Sequence, residues 1–330
     1  MSAGPLHVPA PAGWRYRPLL AWTALLLGGL FLASLAAPFI YAALLELLPG
    51  ARWPFSRIFN RTAMVTAALL LFVLRRPLGW SALPALLAGR SAGRRLGQVV
   101  AGLGAALVGV AIATGAACAL GQLGPAASPY DFLAGRTANA FIGALAVGLI
   151  EETFFRGVML VSLASALGFP VAAIASSGAY SLVHLLVSDP TLGRQGYSLG
   201  AGFAYLGHAV GRQLEPASLL PLFGIFLCGL VLAVVVRRSG ALWLAIGLHA
   251  GWAFAFQVLR HATRPLAEIP GHSFLATHHY LVGTVWAWGG VILSGALALG
   301  WVSLVRLDRA ASGEQGRVGD DRHRRSTPAG

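Results

Sequence analysis

Long apolar segments recur along the whole chain and constrain its fold more than any other feature. Each is close to, or longer than, the roughly 18 residues that a helix needs to cross a bilayer. They cover residues 18–45, 59–74, 99–120, 138–167, 171–187, 219–236, 241–259 and 281–305. Only 11% of the 330 residues are charged, against about 25% in soluble domains. The sequence therefore predicts an all-α, polytopic integral membrane protein with about eight transmembrane helices.

The chain is strongly basic, with a formal net charge of +13, and all 24 of its basic residues are arginine. Nucleic-acid-binding proteins carry a similar excess, but there the basic residues line one face or groove. Here the arginines lie in short loops and in the C-terminal tail, beside apolar segments. This distribution is typical of membrane topology, so we expect the lipid bilayer, and no nucleic acid, as a partner.

The arginines also predict an orientation. An even number of spans places both termini on the same side of the membrane. With both termini in the cytoplasm, the inner segments hold fifteen arginines and the outer loops eight, while Arg156 falls within a span. Because inner loops are enriched in basic residues, we expect both termini in the cytoplasm. The exclusive use of arginine is typical of high-GC bacteria, which predicts the bacterial inner membrane.

Ionisable side chains inside the predicted spans are exceptions, and such groups usually mark function because each costs several kcal/mol to bury in lipid. They are Glu151, Glu152 and Arg156 in the fourth span, His184 in the fifth and His249 in the seventh. On one helix, Glu152 and Arg156 have the i, i+4 spacing of an ion pair, while Glu151 points about 100° around the axis. Glu151 is then available for chemistry.

The histidines lie at a similar predicted depth. His249 follows Arg237 and Arg238 by about twelve residues, or about 18 Å of helix, which is near mid-membrane. His184 has Tyr180 one turn earlier on the same helix face. Two glutamates and two histidines from three helices can therefore meet in one water-containing cavity.

These groups suit a hydrolase, in which a carboxylate takes a proton from water, one imidazole orients that water and the other stabilises an oxyanion. Glu151, His184 and His249 are equally suited to hold a divalent metal such as Zn²⁺, and the spacing does not decide between the two. A different class of function also fits: a non-catalytic scaffold or transporter, in which the buried groups clamp helices together or couple protons.

The same residues resemble the motifs of the CPBP family, the type II CAAX prenyl proteases and bacteriocin-processing proteins. Its first motif, E-E-x-x-x-R, is matched by residues 151–156, and its second, F-x-x-x-H, is matched by residues 180–184 with Tyr180 in place of Phe. Its third places His in the frame S-G-x-L-W-x-x-I-x-x-H-A, which residues 239–250 reproduce. That motif continues with Asn or Asp four residues after His249, where this chain has Ala253; Gln257 is one turn further on.

The resemblance implies an endopeptidase of about eight helices with an intramembrane catalytic cavity. It implies that Glu151 and His184 activate water and that His249 helps to form the oxyanion site. Glu152 and Arg156 would support them, with Tyr180 beside them. The implied substrate is a membrane-anchored or lipidated protein, of CAAX type or one that is processed or sorted.

The expected organisation follows from these assignments. Residues 1–17 form a cytoplasmic tail, 18–135 hold the first three transmembrane helices, and 136–258 form the catalytic core. Residues 259–305 hold an outer loop and the last transmembrane helix, and 306–330 form a disordered cytoplasmic tail. Within the core, the glycine-rich segment 188–216 is expected to be an external loop or a re-entrant loop over the cavity.

Overall fold

The computed structural model describes residues 17–48, 50, 53–76, 78, 80, 83–88, 91–126, 130–184, 199–266 and 282–325. Its first helices are α1 (Arg17–Leu47), α2 (Phe55–Val73), α3 (Leu83–Ala88), α4 (Ala92–Ala119) and α5 (Tyr130–Glu152). A π-helical turn (Thr153–Met159) leads into α6 (Leu160–Leu167), α7 (Phe169–His184) and α8 (Leu199–Gln213). The last helices are α9 (Pro216–Ser239), α10 (Trp243–Ala262) and α11 (Val285–Arg325).

The protein is an all-α integral membrane protein. Within the described ranges, five helices are long and apolar enough to cross a membrane: α1, α2, α4, α9 and the first part of α11. Large apolar side chains on their outer surfaces, such as Leu20 and Leu69, are exposed, as lipid-facing residues are. The other three predicted spans fall on α5 with α6, on α7 and on α10, which are shorter or less apolar. The orientation of the termini stays a prediction.

Helix α10 packs between α4 and α5, and small residues set these contacts. A Cβ on Gly102 of α4 would overlap the carbonyl oxygen of Leu244, and one on Gly247 of α10 would overlap that of Val99. On α5, a Cβ on Gly148 would lie 3.0 Å from the carbonyl oxygen of Ile246. Glycine lets helix backbones approach closely in membranes. These contacts place the C-terminal end of α5 directly against the N-terminal half of α10.

Two further contacts complete the core around α5 and α10. Helix α9 crosses α7 where a Cβ on Gly229 would lie 2.8 Å from the Cβ of Ser177. Helix α1 is joined to α6 by a buried hydrogen bond in which Trp22 Nε1 donates to Ser162 Oγ at 2.7 Å. The outer pair α1 and α2 therefore packs onto the bundle that carries the ionisable residues.

The predicted continuous helix 138–167 is interrupted, which corrects the sequence analysis. Helix α5 ends at Glu152, the seven residues Thr153–Met159 form the π-helical turn, and α6 begins at Leu160. The hydroxyl of Thr153 donates to the carbonyl oxygen of Leu149 at 2.7 Å, and such a bond to the preceding turn bends helices. π-Helical turns are frequent at functional sites, and this one directly follows the two glutamates.

The segment 188–216 is not a loop throughout, because it contains α8; residues 185–198 lie outside the described residues. Helix α8 packs on α1, where a Cβ on Gly202 would overlap the carbonyl oxygen of Ser34. Tyr205 of α8 is 1% exposed and contacts the rings of Phe55 and Phe59. The aromatic cluster with α2 stabilises a helix whose glycine content favoured a loop.

The two ends of the bundle also differ from expectation. A two-stranded antiparallel sheet pairs β1 (Leu123–Pro125) with β2 (Thr263–Pro265), and so joins the ends of α4 and α10. Helix α11 continues to Arg325, through most of the segment 306–330 for which disorder was expected. A helix that is already formed adds residues at little cost, and the apolar first part of α11 provides that start. Residues 326–330 lie outside the described residues.

Candidate active site

The predicted i, i+4 ion pair forms at the junction of α5 and the π-helical turn. Arg156 Nη1 donates to Glu152 Oε1 at 3.0 Å, and the two side chains are 1% and 0% exposed. Arg156 Nη2 also donates to the carbonyl oxygen of Gly229 on α9 at 3.2 Å. The pair is thus fully buried and ties α5 to α9.

His249 of α10 joins this buried pair. Its Nδ1 lies 2.9 Å from Glu152 Oε1. A carboxylate that pairs with arginine is ionised and only accepts, so Nδ1 carries the ring proton and donates it to Glu152. The close approach of α5 and α10 at Gly148 places the two residues within reach. Glu152 therefore accepts from both Arg156 and His249 and links α5 to α10.

Glu151 and His184 form the accessible part of the site. Their side chains are 27% and 28% exposed, and Glu151 Oε2 lies 3.0 Å from His184 Nε2, an ion pair when the imidazole is protonated. His184 Nδ1 donates to the carbonyl oxygen of Tyr180 at 2.8 Å, which fixes the ring and directs Nε2 at Glu151. The same Glu151 oxygen lies 3.8 Å from His249 Nε2. Groups from α5, α7 and α10 therefore converge on one carboxylate oxygen.

Tyr180 fills the space behind the two histidines. It is 4% exposed, and its hydroxyl lies 3.3 Å from His249 Nε2. Its ring centre is 4.1 Å from that of His184 and 5.1 Å from that of Phe155. The guanidinium carbon of Arg156 lies 4.5 Å from the centre of the ring. A cation at this distance from an aromatic face is attracted to it. Arg156 therefore contacts both the Tyr180 ring and the Glu152 carboxylate.

The structure brings together every ionisable residue that the sequence singled out: Glu151, Glu152, Arg156, His184 and His249. Glu151 and His184 are partly exposed, and the other three are buried behind them. A partly accessible carboxylate beside an imidazole can take a proton from a water molecule and hold it. The buried carboxylate is neutralised by Arg156 and positions His249.

Four residues after His249, the chain lacks the polar side chain that the third motif has there. Ala253 lies one turn further along α10 and offers no hydrogen-bonding group. Gln257 lies two turns, or about 12 Å, beyond His249. Within the described part of the chain, no hydrogen bond links Gln257 to the site residues. Gln257 is therefore too far along the helix to stand in for the missing Asn or Asp.

The residues present do not fit a metal ion in this arrangement. Among the described residues, no group of three His, Cys, Asp or Glu side chains is placed to hold one. A metal ligand must have a free lone pair that points at the ion. Here His249 Nε2 faces the hydroxyl of Tyr180 at 3.3 Å. We derive no step through a metal.

Sequence reasoning missed two contributors to the site. One is the carbonyl oxygen of Gly229, which holds Arg156; a backbone acceptor on a distant helix leaves no local signal. The other is Gly148, whose missing side chain lets α5 meet α10. The available signal was the glycine itself, since small residues in membrane helices often mark a close helix crossing.

Comparison with known families gives one match. Residues 134–255 match the family model described as Rce1-like, type II CAAX prenyl endopeptidase. The match spans the end of α5 that carries the glutamates, all of α7 and the part of α10 that carries His249. None of the curated proteins and none of the solved structures gives a match.

Proposed function

Residues 134–255 belong to the CPBP family, as an Rce1-like domain of the type II CAAX prenyl endopeptidase group, and from this membership we propose that the protein cleaves a peptide bond of a membrane-associated protein. The family is a protease family and the protein is an integral membrane protein. The proposal adds the mechanism, in which Glu151 activates a water molecule, and the substrate class, a lipidated or membrane-anchored polypeptide.

One observation carries the proposal. Glu151 Oε2 lies 3.0 Å from His184 Nε2 and 3.8 Å from His249 Nε2, although the three residues come from three different helices. Of the three, Glu151 and His184 are the accessible ones. A purely structural clamp buries its charges, as Glu152 and Arg156 do here. The Glu151 side chain stays about a quarter exposed, although its Oε2 is buried between the two imidazoles. An ionisable side chain in a membrane span that is not enclosed in a clamp supports a functional role.

In the proposed reaction Glu151 is the general base. Its carboxylate takes a proton from water, and the resulting hydroxide adds to the scissile carbonyl carbon. His184 contacts the same carboxylate oxygen, and its ring is fixed by the bond from Nδ1 to the carbonyl oxygen of Tyr180. The proton held between Glu151 and His184 then passes to the leaving amine as the C–N bond breaks. Water is consumed, and one carboxyl and one amino terminus form.

Glu152 and Arg156 have a supporting role in this mechanism. The carboxylate of Glu152 keeps the Nδ1 proton on His249 and fixes the orientation of that ring. Arg156 neutralises Glu152, so the buried carboxylate does not repel the neighbouring Glu151. The buried trio thus holds its groups still while the accessible pair carries out proton transfer.

The test is cleavage of a farnesylated peptide that ends in C-a-a-X, with the protein reconstituted into liposomes. Replacement of Glu151 by Gln keeps the size of the side chain and removes the base. We expect the turnover rate to fall by about 10²–10⁴-fold, the usual contribution of a general base. The same peptide without the farnesyl group is expected to be cleaved more slowly if lipidation is recognised.

The matched control is Glu46→Gln, because Glu46 is exposed on α1 and lies outside the matched domain. It should retain the wild-type rate. Thermal unfolding of both variants separates the two classes of function. A Glu151→Gln variant that cleaves as well as wild type, or that loses cleavage only because it unfolds, contradicts the enzyme mechanism and favours the structural or transport role of the buried charges.

A further inference from the structure

The chain departs from the family motifs at two positions that meet at His249. It has Ala253 where the third motif has Asn or Asp, and Tyr180 where the second has Phe. The first change removes a hydrogen-bonding side chain one turn after His249, and the second adds a hydroxyl 3.3 Å from His249 Nε2. One polar group has been lost and another gained on two helices that face the same imidazole.

An oxyanion site needs hydrogen-bond donors, because the carbonyl oxygen gains a full negative charge when hydroxide adds to its carbon. His249 does not offer one from Nε2 in its neutral form. Its Nδ1 carries the ring proton, since Nδ1 faces the ionised Glu152. In a neutral imidazole the other nitrogen is then an acceptor. With a neutral imidazole, the site therefore has no donor at His249 Nε2.

The hydroxyl of Tyr180 is the donor at this place. Because His249 Nε2 accepts, the bond of 3.3 Å between the two groups has the tyrosine O–H as donor. The ring that carries it is held by Phe155 on one side and by His184 on another. The guanidinium carbon of Arg156 lies 4.5 Å from the ring centre and holds the face of the ring as well.

We propose that the Tyr180 hydroxyl is a catalytic hydrogen-bond donor that stabilises the oxyanion, in place of the Asn or Asp that is absent at position 253. In the resting site the hydroxyl donates to His249 Nε2. When the oxyanion forms, its full charge makes it a stronger acceptor than a neutral imidazole, and the O–H rotates toward it. No covalent bond to Tyr180 forms or breaks. This inference rests on the proposed function.

The chain itself supplies the variants for a rescue experiment. Tyr180→Phe restores the family's second motif and removes only the hydroxyl. Ala253→Asn restores the third motif and supplies a donor one turn from His249. Cleavage of the farnesylated C-a-a-X peptide in liposomes is measured for each variant and for the double variant, with kcat and KM determined separately.

We expect Tyr180→Phe to lower kcat by about 10²–10³-fold, as loss of one oxyanion donor does, with little change in KM. The double variant Tyr180→Phe with Ala253→Asn should have a kcat at least tenfold higher than that of Tyr180→Phe alone. Tyr205→Phe is the matched control, because Tyr205 is a buried tyrosine of α8 outside the site. It should leave kcat unchanged.

Two results overturn the inference. One is a Tyr180→Phe variant with a kcat within threefold of wild type. The other is a loss of activity that Ala253→Asn does not restore. A fall in unfolding temperature that matches such a loss would assign Tyr180 a structural role. Failure of the proposed function looks different, because Glu151→Gln would then cleave the peptide as fast as wild type.

Discussion

Replacing Arg156 by alanine tests how the buried charges stabilise the bundle. Arg156 is 1% exposed and its partner Glu152 is 0% exposed, so the variant leaves a carboxylate in the interior without its counter-ion. Removing one partner of a buried ion pair costs about 3–5 kcal/mol. We expect the lower end, about 3 kcal/mol, because His249 still donates to Glu152. Loss of the bond to Gly229 adds about 1 kcal/mol.

The double variant Glu152→Gln with Arg156→Met separates charge from packing. It removes both charges and keeps side chains of similar volume, so no uncompensated ion is left. Its expected cost is about 1 kcal/mol, mainly for the acceptor left at Gly229. The free energy of unfolding in detergent micelles, from a denaturant titration, measures both variants. Arg94→Ala is the control, because Arg94 is exposed and exposed substitutions usually stay within about 0.5 kcal/mol.

Two outcomes would refute this reasoning. If Arg156→Ala costs no more than Arg94→Ala, the variant does not leave Glu152 as an uncompensated buried charge. If the double variant is as unstable as Arg156→Ala, the cost comes from the lost hydrogen bonds of the guanidinium and not from the uncompensated charge of Glu152.

Two further predictions concern the helix crossing and the chemistry. Gly247→Ala should lower the free energy of unfolding by about 1–3 kcal/mol, because a Cβ there overlaps the carbonyl oxygen of Val99. Gly104→Ala on α4 is its control, since a Cβ there meets no atom within 4 Å. Equal free energies of unfolding for the two variants would contradict the close crossing. Cleavage of the farnesylated peptide should persist in the presence of the chelator 1,10-phenanthroline, since among the described residues no three ligands are placed for a metal. A cleavage activity that the chelator removes and Zn²⁺ restores would contradict the glutamate mechanism.

Much of the local structure was readable from the sequence, because helix formation and ion pairing along one helix depend on nearby residues. Long apolar runs predicted α1, α2, α4, α9 and α11. The spacing of Glu152 and Arg156 predicted their ion pair, since residues four apart lie on the same face of a helix. The same geometry turned Glu151 away from Arg156 and toward the open part of the site.

Other features had no local signal. The glycine-rich segment 188–216 was expected to be a loop, yet α8 forms there because Gly202 and Tyr205 fit against α1 and α2. The predicted fourth helix contains a π-helical turn after Glu152, and neither composition nor hydrophobic period distinguishes such a turn from α-helix. Tertiary contacts decided both.

The sequence by itself determined that apolar helices form and that they carry two glutamates, an arginine and two histidines inside an otherwise apolar chain. Only the tertiary structure decided which atom faces which. Glu152 binds His249, which is 97 residues away, Glu151 meets His184, and the Tyr180 hydroxyl points at His249 Nε2. The physical reason is that hydrophobic periodicity sets which face of a helix is buried, whereas the closest approach of two helices depends on the small residues at their crossing, such as Gly148 and Gly247.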